Sequence, residues 1–302
     1  MFLKMRALFI GATAAFLITT GFANVAAAQT FATGLTSHSL LQRDNNGDLL
    51  VGAQNSMPIR IVTPGGVVST RGATLSAPND IVRGPDGALY ISEQSGSRIL
   101  RSTDNGVTTS VYATGTIATF GMAFGPGGQL YVANNFNGTI LVVPPGGGAA
   151  SLFATVGSSP RGLVYSGNSL YVASSGELEA VTVPGAVVSR VAFFGQAYGV
   201  TLDGAGALYV SDRVAGTVER VTPAGVKTPV ASGLTQPQGV AFNTAGDLFV
   251  SSGAGIITRF NAVGAPVGPR PVPTLSEWAM ILFGLMLAGG ATLYIQYRRT
   301  VA

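Results

Sequence analysis

The sequence predicts an all-β fold, a six-bladed β-propeller closed by an N-terminal strand. Three observations carry that expectation. A Gly-x-Leu-Tyr-Val type of string recurs six times, with its leucines at Leu49, Leu89, Leu130, Leu170, Leu208 and Leu248. Their spacings are 40, 41, 40, 38 and 40 residues, and a unit of about 40 residues holding four short strands is one propeller blade. The 42 glycines and 16 prolines fall between runs of Val, Leu, Tyr and Phe, as tight turns between short strands require. Finally, an orphan strand at the N-terminal end matches the strand that the last unit lacks.

Each unit follows one plan. It opens with an apolar strand such as Gly239-Val240-Ala241-Phe242. A turn such as Gly84-Pro85-Asp86-Gly87 or Gly125-Pro126-Gly127-Gly128 follows, supplying the positive φ values that hairpins need. The Leu-Tyr-Val strand, a short polar loop and a third strand such as Thr217-Val218-Glu219-Arg220-Val221 come next. A fourth strand such as Thr228-Pro229-Val230-Ala231 ends the unit. The last unit has three strands and stops near Asn261. The orphan Thr30-Phe31-Ala32-Thr33-Gly34-Leu35 resembles the fourth strand and its exit at 228–234, so it is expected to complete blade six and remove two free sheet edges. The propeller is therefore placed at residues 29–262.

The two ends read as addresses. Lys4 and Arg6 precede an apolar run from Ala7 to Ile18, and Ala26-Ala27-Ala28 forms an A-x-A cleavage site before Gln29. That is a secretory signal peptide over residues 1–28, with Ala26 and Ala28 marking the cut. At the other end, a Gly/Pro-rich linker over 263–271 leads to Val272-Pro273-Thr274-Leu275-Ser276-Glu277-Trp278. An apolar run and Arg298-Arg299 follow. As a helix, residues 278–297 would span about 30 Å, one hydrocarbon core. Thr274 and Glu277 have capping-box spacing, and Trp278, Tyr294 and Tyr297 suit the two interfaces. The arginines are expected to keep the C-terminus in the cytoplasm and the propeller on the far side.

Composition narrows the function. Between Gln29 and Pro271 there are 13 Lys and Arg against 12 Asp and Glu, so the basic excess sits at the ends, beside apolar runs. It concerns membrane topology, and no nucleic-acid partner is expected. There are no cysteines, which excludes thiolate metal sites and Cys nucleophiles and leaves stability to packing and ring closure.

The tail resembles the IPTL-CTERM sorting signal of Gram-negative bacteria. The resemblance rests on Pro273, Thr274, Leu275, Ser276, Glu277 and Trp278 before the apolar run and on Arg298 and Arg299 after it, with Val272 replacing the usual first Ile. It implies export by the general secretion machinery and membrane anchoring through residues 272–302. It also implies recognition by an exosortase-like membrane protease and passage to the cell surface. The repeats, carried by Ser76-Ala77-Pro78-Asn79-Asp80-Ile81, Gly84-Pro85-Asp86-Gly87-Ala88-Leu89-Tyr90-Ile91-Ser92 and Ser97-Arg98-Ile99, resemble NHL-repeat and SMP-30/gluconolactonase-like propellers. That resemblance implies a fold which hosts many activities.

Aligning the units on their leucines places Ser39 (beside His38), Asn79, Phe120, Arg161, Tyr198 and Gln238 at equivalent starts of the inner strands. The loops after the Leu-Tyr-Val strands bring Gln54, Glu93, Asn134, Asp212 and Ser251 to the same end. The expected ligand-binding set at this channel mouth is Asn79, Asp80, Glu93, Phe120, Asn134, Arg161, Tyr198, Asp212 and Gln238. Gluconolactonase-like enzymes supply carboxylate and amide oxygens to a cation from several blades, whereas Asn79 and Asp80 belong to one blade. A streptogramin-type lyase would need a general base, and His38 is the single histidine. No G-x-S-x-G is present, and the glycines sit at turns, forming no phosphate loop. The sequence therefore leads to a noncatalytic binding or scaffolding propeller without cofactor, its ligand a glycan, peptide or protein loop. The alternatives are a hydrolase or lyase with one divalent cation such as Ca²⁺, and a structural component of surface matrix or biofilm.

Overall fold

The computed structural model describes residues 27–35 and 38–266. The expected signal peptide, save Ala27 and Ala28, and the expected membrane helix at 278–297 lie outside the described residues. Among the described residues there is no α-helix, and no helix long and apolar enough to cross a membrane.

Six antiparallel sheets form a ring of blades. The inner strands are His38–Arg43, Pro78–Arg83, Thr119–Phe124, Leu163–Ser166, Ala197–Leu202 and Pro237–Phe242. The end of the ring where these strands begin is called the upper face here, and the end where they finish the lower face. The strand Ala28–Ala32 pairs antiparallel with Ile256–Phe260, in the register Ala28↔Phe260, and completes blade six. It starts two residues before the expected Thr30. The segment Phe31-Ala32-Thr33 packs as its counterparts do in other blades. Phe31 meets Phe249 edge-on at 4.7 Å, as Tyr112 meets Tyr90 at 4.8 Å and Phe153 meets Tyr131 at 4.8 Å. The repeat leucines are buried between the sheets, and the residue after each, aromatic in five blades and Leu50 in blade one, packs into the core. Gly148–Ala149 leaves blade three to pair in parallel with Ser110–Thr114, covering the edge of blade two.

The blades are joined at the channel by one repeated contact. Ser92 Oγ accepts the Asp80 N–H at 3.0 Å and donates to the Phe120 carbonyl of the next blade at 2.9 Å. Ser211 links the Gly199 N–H to Gln238 O, and Ser251 links the Gly239 N–H to Ser39 O, closing the ring from blade six to blade one. Where alanines 133 and 173 replace that serine, the glycine amide bonds the next blade directly: Gly121 N–H to Arg161 O at 2.8 Å and Gly162 N–H to Tyr198 O at 2.9 Å. Blade one carries Gly52 there, and a Cβ on it would lie 1.9 Å from Asn79 O. The inner strands thus approach backbone to backbone, which explains the glycines at 121, 162, 199 and 239.

Both described ends lie on the lower face. The chain enters at Ala28, opposite Phe260. After blade six it is held as a strap: Ala262 N–H bonds Asp247 Oδ1 at 2.9 Å, Ala265 N–H bonds Asp203 Oδ2 at 3.1 Å, and Gly204 N–H bonds Ala265 O at 3.0 Å. The first residues of the expected 263–271 linker are therefore part of the propeller surface.

The channel contacts predict the effect of a single methyl group. A Cβ on Gly121 would sit 2.1 Å from Arg161 O, against rigid backbone. Gly121→Ala is expected to cost about 3 kcal/mol through forced separation of blades three and four, measured by denaturant unfolding.

Candidate functional site at the upper channel mouth

The inner-strand starts converge on Tyr198. Its ring is 2 % exposed and reaches across the channel, where Gln54 Nε2 of blade one donates to its hydroxyl at 2.8 Å. Phe120, 7 % exposed, meets it edge-on at 6.4 Å. Arg161 Cζ stands 5.1 Å from the ring centroid and Arg213 Cζ 6.0 Å. Burial raises the Tyr198 hydroxyl above its ordinary pKa, so this mouth is filled by a neutral phenol between two guanidinium groups. Arg161 also bonds Ser175 Oγ and Ser159 O, and its own pKa is lowered by burial, with the Arg213 charge adding to the effect.

The acidic and amide candidates are engaged elsewhere. Asp212 accepts four loop amides, those of Gly195, Gln196, Val214 and Ala215, at 2.7 to 3.1 Å. Burial works against its charge, but these amides outweigh it and hold the carboxyl below the usual range. Glu93 accepts the Ser76 N–H at 2.7 Å and meets Arg98. Asn134 accepts the Asn137 N–H at 3.4 Å within its own turn. Asn79 Nδ2 donates to Gln94 Oε1 and Thr119 O, leaving Oδ1 buried without a partner, and Gln238 Oε1 is likewise buried and unpartnered. The mouth thus gathers Tyr198, Phe120 and Arg161 into one cluster, whereas Glu93, Asn134 and Asp212 organise the surrounding loops. The side chain of His38 is outside the described residues.

Asp80 lies deeper, at the position that four of the other blades give to glycine and blade one to Leu40. Its Oδ2 accepts the Met122 N–H of blade three at 2.8 Å and its Oδ1 the Ile81 N–H at 3.0 Å. Gln42 of blade one is a third partner. Burial nevertheless pushes the carboxyl up to about 7. Beyond Gln42 and Met122 the channel opens at the lower face as a cavity of about 250 Å³, walled by Arg43, Phe124, Tyr165 and Leu202 among others. This space lies at the opposite end from the mouth the sequence singles out.

Could these residues hold a divalent cation? No group of three His, Cys, Asp or Glu side chains converges among the described residues. The carboxylates face loop amides and not one another, so the donor set does not fit a hard cation. Sequence reasoning missed Arg213, although it directly follows Asp212 in the same loop. It placed Ser251 in a mouth loop but missed the relay that Ser92, Ser211 and Ser251 form. Their signal was the small residue three places after every repeat leucine: Gly52, Ser92, Ala133, Ala173, Ser211 and Ser251.

Comparison with known proteins adds two findings. Residues 270–299 match the IPTL-CTERM motif, which marks the chain as an exosortase-type processing substrate. The propeller is similar to a gluconolactonase from Xanthomonas campestris, with TM-score 0.68 and 17 % identity over 78 % of this chain and 89 % of that one. A putative gluconolactonase aligns with TM-score 0.69 and 14 % identity over 80 % and 94 % of the two chains. Virginiamycin B lyase from Staphylococcus aureus aligns with TM-score 0.56 and 18 % identity over 73 % and 79 %. At these identities the likeness shows the fold. No curated protein matches in sequence. The molecule is thus a six-bladed propeller, similar in architecture to solved gluconolactonase propellers. Its C-terminal sorting signal points to export, membrane anchoring and surface display.

Asp80 gives this channel a pH signature. Its folded pKa is raised, so the unfolded chain binds fewer protons between its ordinary 3.8 and about 7. Stability therefore falls as pH rises through that window and is level above it, an effect of order a few kcal/mol. The Asp44, Asp86, Asp203, Asp212 and Asp247 carboxyls are lowered, and their stabilisation is lost only as pH falls below about 4. Asp80→Asn is expected to abolish the decline between pH 4 and 7 in melting experiments.

Proposed function

We propose that this chain is an exported, surface-sorted propeller that binds its ligand noncatalytically at the upper channel mouth. The observation that carries the reading is the spent condition of the carboxylates. Asp212 is saturated by four amides, Glu93 is held by Arg98 and Ser76, and Asp80 holds blade three. What the mouth offers a visitor is cationic and amide chemistry around an aromatic plug.

The placement of the chain ends supports display of that mouth. In the membrane-tethered precursor, both addresses leave from the lower face. Ala265, the last residue bonded in the strap, is thirteen residues from Trp278, where the membrane helix is expected to begin, a reach of at most about 45 Å. The inner strands hold the two faces roughly 20 Å apart. Tethering at the lower face leaves the upper mouth as the end farther from the anchor, and cleavage of the tail would release the propeller.

A lactonase- or lyase-like enzyme is the second reading. The fold and the orphaned Asn79 Oδ1 beside Asp80 favour it. It would require oxygen ligands from several blades to converge on one ion.

Two measurements test these statements. Melting of the full chain in detergent, with EDTA or with added Ca²⁺, Mg²⁺ or Zn²⁺, is expected to give one unchanged transition. A clear upward shift with one ion would replace the binding module by the enzyme. In the cysteine-free chain, single cysteines at Val214→Cys on the upper face and Val226→Cys on the lower face of the same blade report orientation. In proteoliposomes, an impermeant maleimide is expected to label the first much faster; equal rates would remove the outward-facing arrangement.

A further inference from the structure

Six cations of this propeller are ion-paired. Arg83, Arg98, Arg101, Arg190, Lys227 and Arg259 each meet a carboxylate within 3.2 Å. Arg161 and Arg213, which flank the Tyr198 ring, meet none among the described residues. Their partners are neutral: Ser159 O and Ser175 Oγ for Arg161, Gln196 Oε1 and Gln236 Oε1 for Arg213. Arg213 Nε is buried with no partner at all. The nearest loop acid, Asp212, precedes Arg213 in the chain yet turns its whole carboxylate to four amides. Two half-buried guanidinium groups against one ring, each lacking a counter-charge, repel one another, and an anion at the mouth would relieve that repulsion.

We infer that this pair is the anchor for a carboxylate on a polyhydroxylated ligand, that is, a uronic-acid glycan. The inference rests on the upper mouth being the binding site. Guanidinium matches carboxylate by paired, charge-assisted hydrogen bonds. Beside it stand the exposed amides of Gln54 and Gln236 and the half-exposed Ser175 hydroxyl, which exchange hydrogen bonds with sugar hydroxyls. An acidic peptide would satisfy the arginines, but its backbone groups stand away from its carboxylates, whereas a uronic acid carries its hydroxyls on the same ring as the carboxylate. The near-neutral propeller lacks a long-range field, so recognition here is local to the two side chains.

The test is calorimetric titration of the full chain in detergent with three probes: oligogalacturonate, its fully methyl-esterified form, and polyglutamate. Oligogalacturonate is expected to bind, more weakly as salt is raised, and the ester and the peptide to bind poorly. Arg161→Gln and Arg213→Gln should each weaken it about tenfold, while Arg190→Gln, remote on an outer strand, leaves it unchanged. Should either glutamine variant fail to fold, Arg161→Lys and Arg213→Lys retain the charge, lose the fork and are expected to weaken binding several-fold. Binding of the ester as tight as that of the acid would overturn the anionic anchor while leaving the mouth as a glycan site. Tighter binding of polyglutamate would overturn the glycan, and absence of uronate binding would overturn the inference. The noncatalytic reading is decided separately, by the metal melts.

Discussion

Each blade reaches the inner-strand carbonyl of the next, and the ring depends on that one contact. Three blades do it through a serine hydroxyl that accepts from its own blade and donates to its neighbour. Two do it through a glycine amide directly, and one by bringing Gly52 against Asn79 O. These groups are buried, so a missing partner would cost the full desolvation of a peptide carbonyl. The distance between inner strands is thereby fixed to what glycine or a single hydroxyl allows. In a cysteine-free chain this belt, with the Ala28–Ala32 strand, supplies the closure that covalent bonds supply elsewhere.

The belt also shapes the site. It draws the inner strands so close at the upper end that one tyrosine and one phenylalanine fill the channel. The polar groups around them are sorted by what the loops need. Asp212 and Glu93 are consumed in holding loop amides, as buried carboxylates must be. Arg161 and Arg213 remain with neutral partners only. The same fold in gluconolactonases and lyases leaves the chemistry to the residues grafted on it, and here those residues form a cationic, aromatic mouth.

Closure and address are linked through blade six. Its outer strand is the N-terminal strand, and its third strand runs on into the strap held by Asp247 and Asp203. The two chain ends consequently share a face, and the motif at 270–299 begins a few residues beyond.

The repeat spacing determined the blade count, because each blade needs the same four strands and turns wherever it stands in the ring. The match of Thr30-Phe31-Ala32-Thr33 to other fourth strands determined the closure, since Phe31 fills the same aromatic slot as Tyr112 and Phe153. The tail motif was legible for a similar reason: it is read as linear sequence. The site was legible only as a set of positions. That Tyr198 would cross to Gln54 of blade one, 144 residues away, and that Asp212 would turn to amides of its own loop while Arg213 turned to the ring, depends on side-chain directions set by the packing of the mouth. A local pattern fixes which residue stands at a strand start; only the packed ring decides what each side chain meets there, because Tyr198 meets Gln54, Phe120 and Arg161 from three other blades.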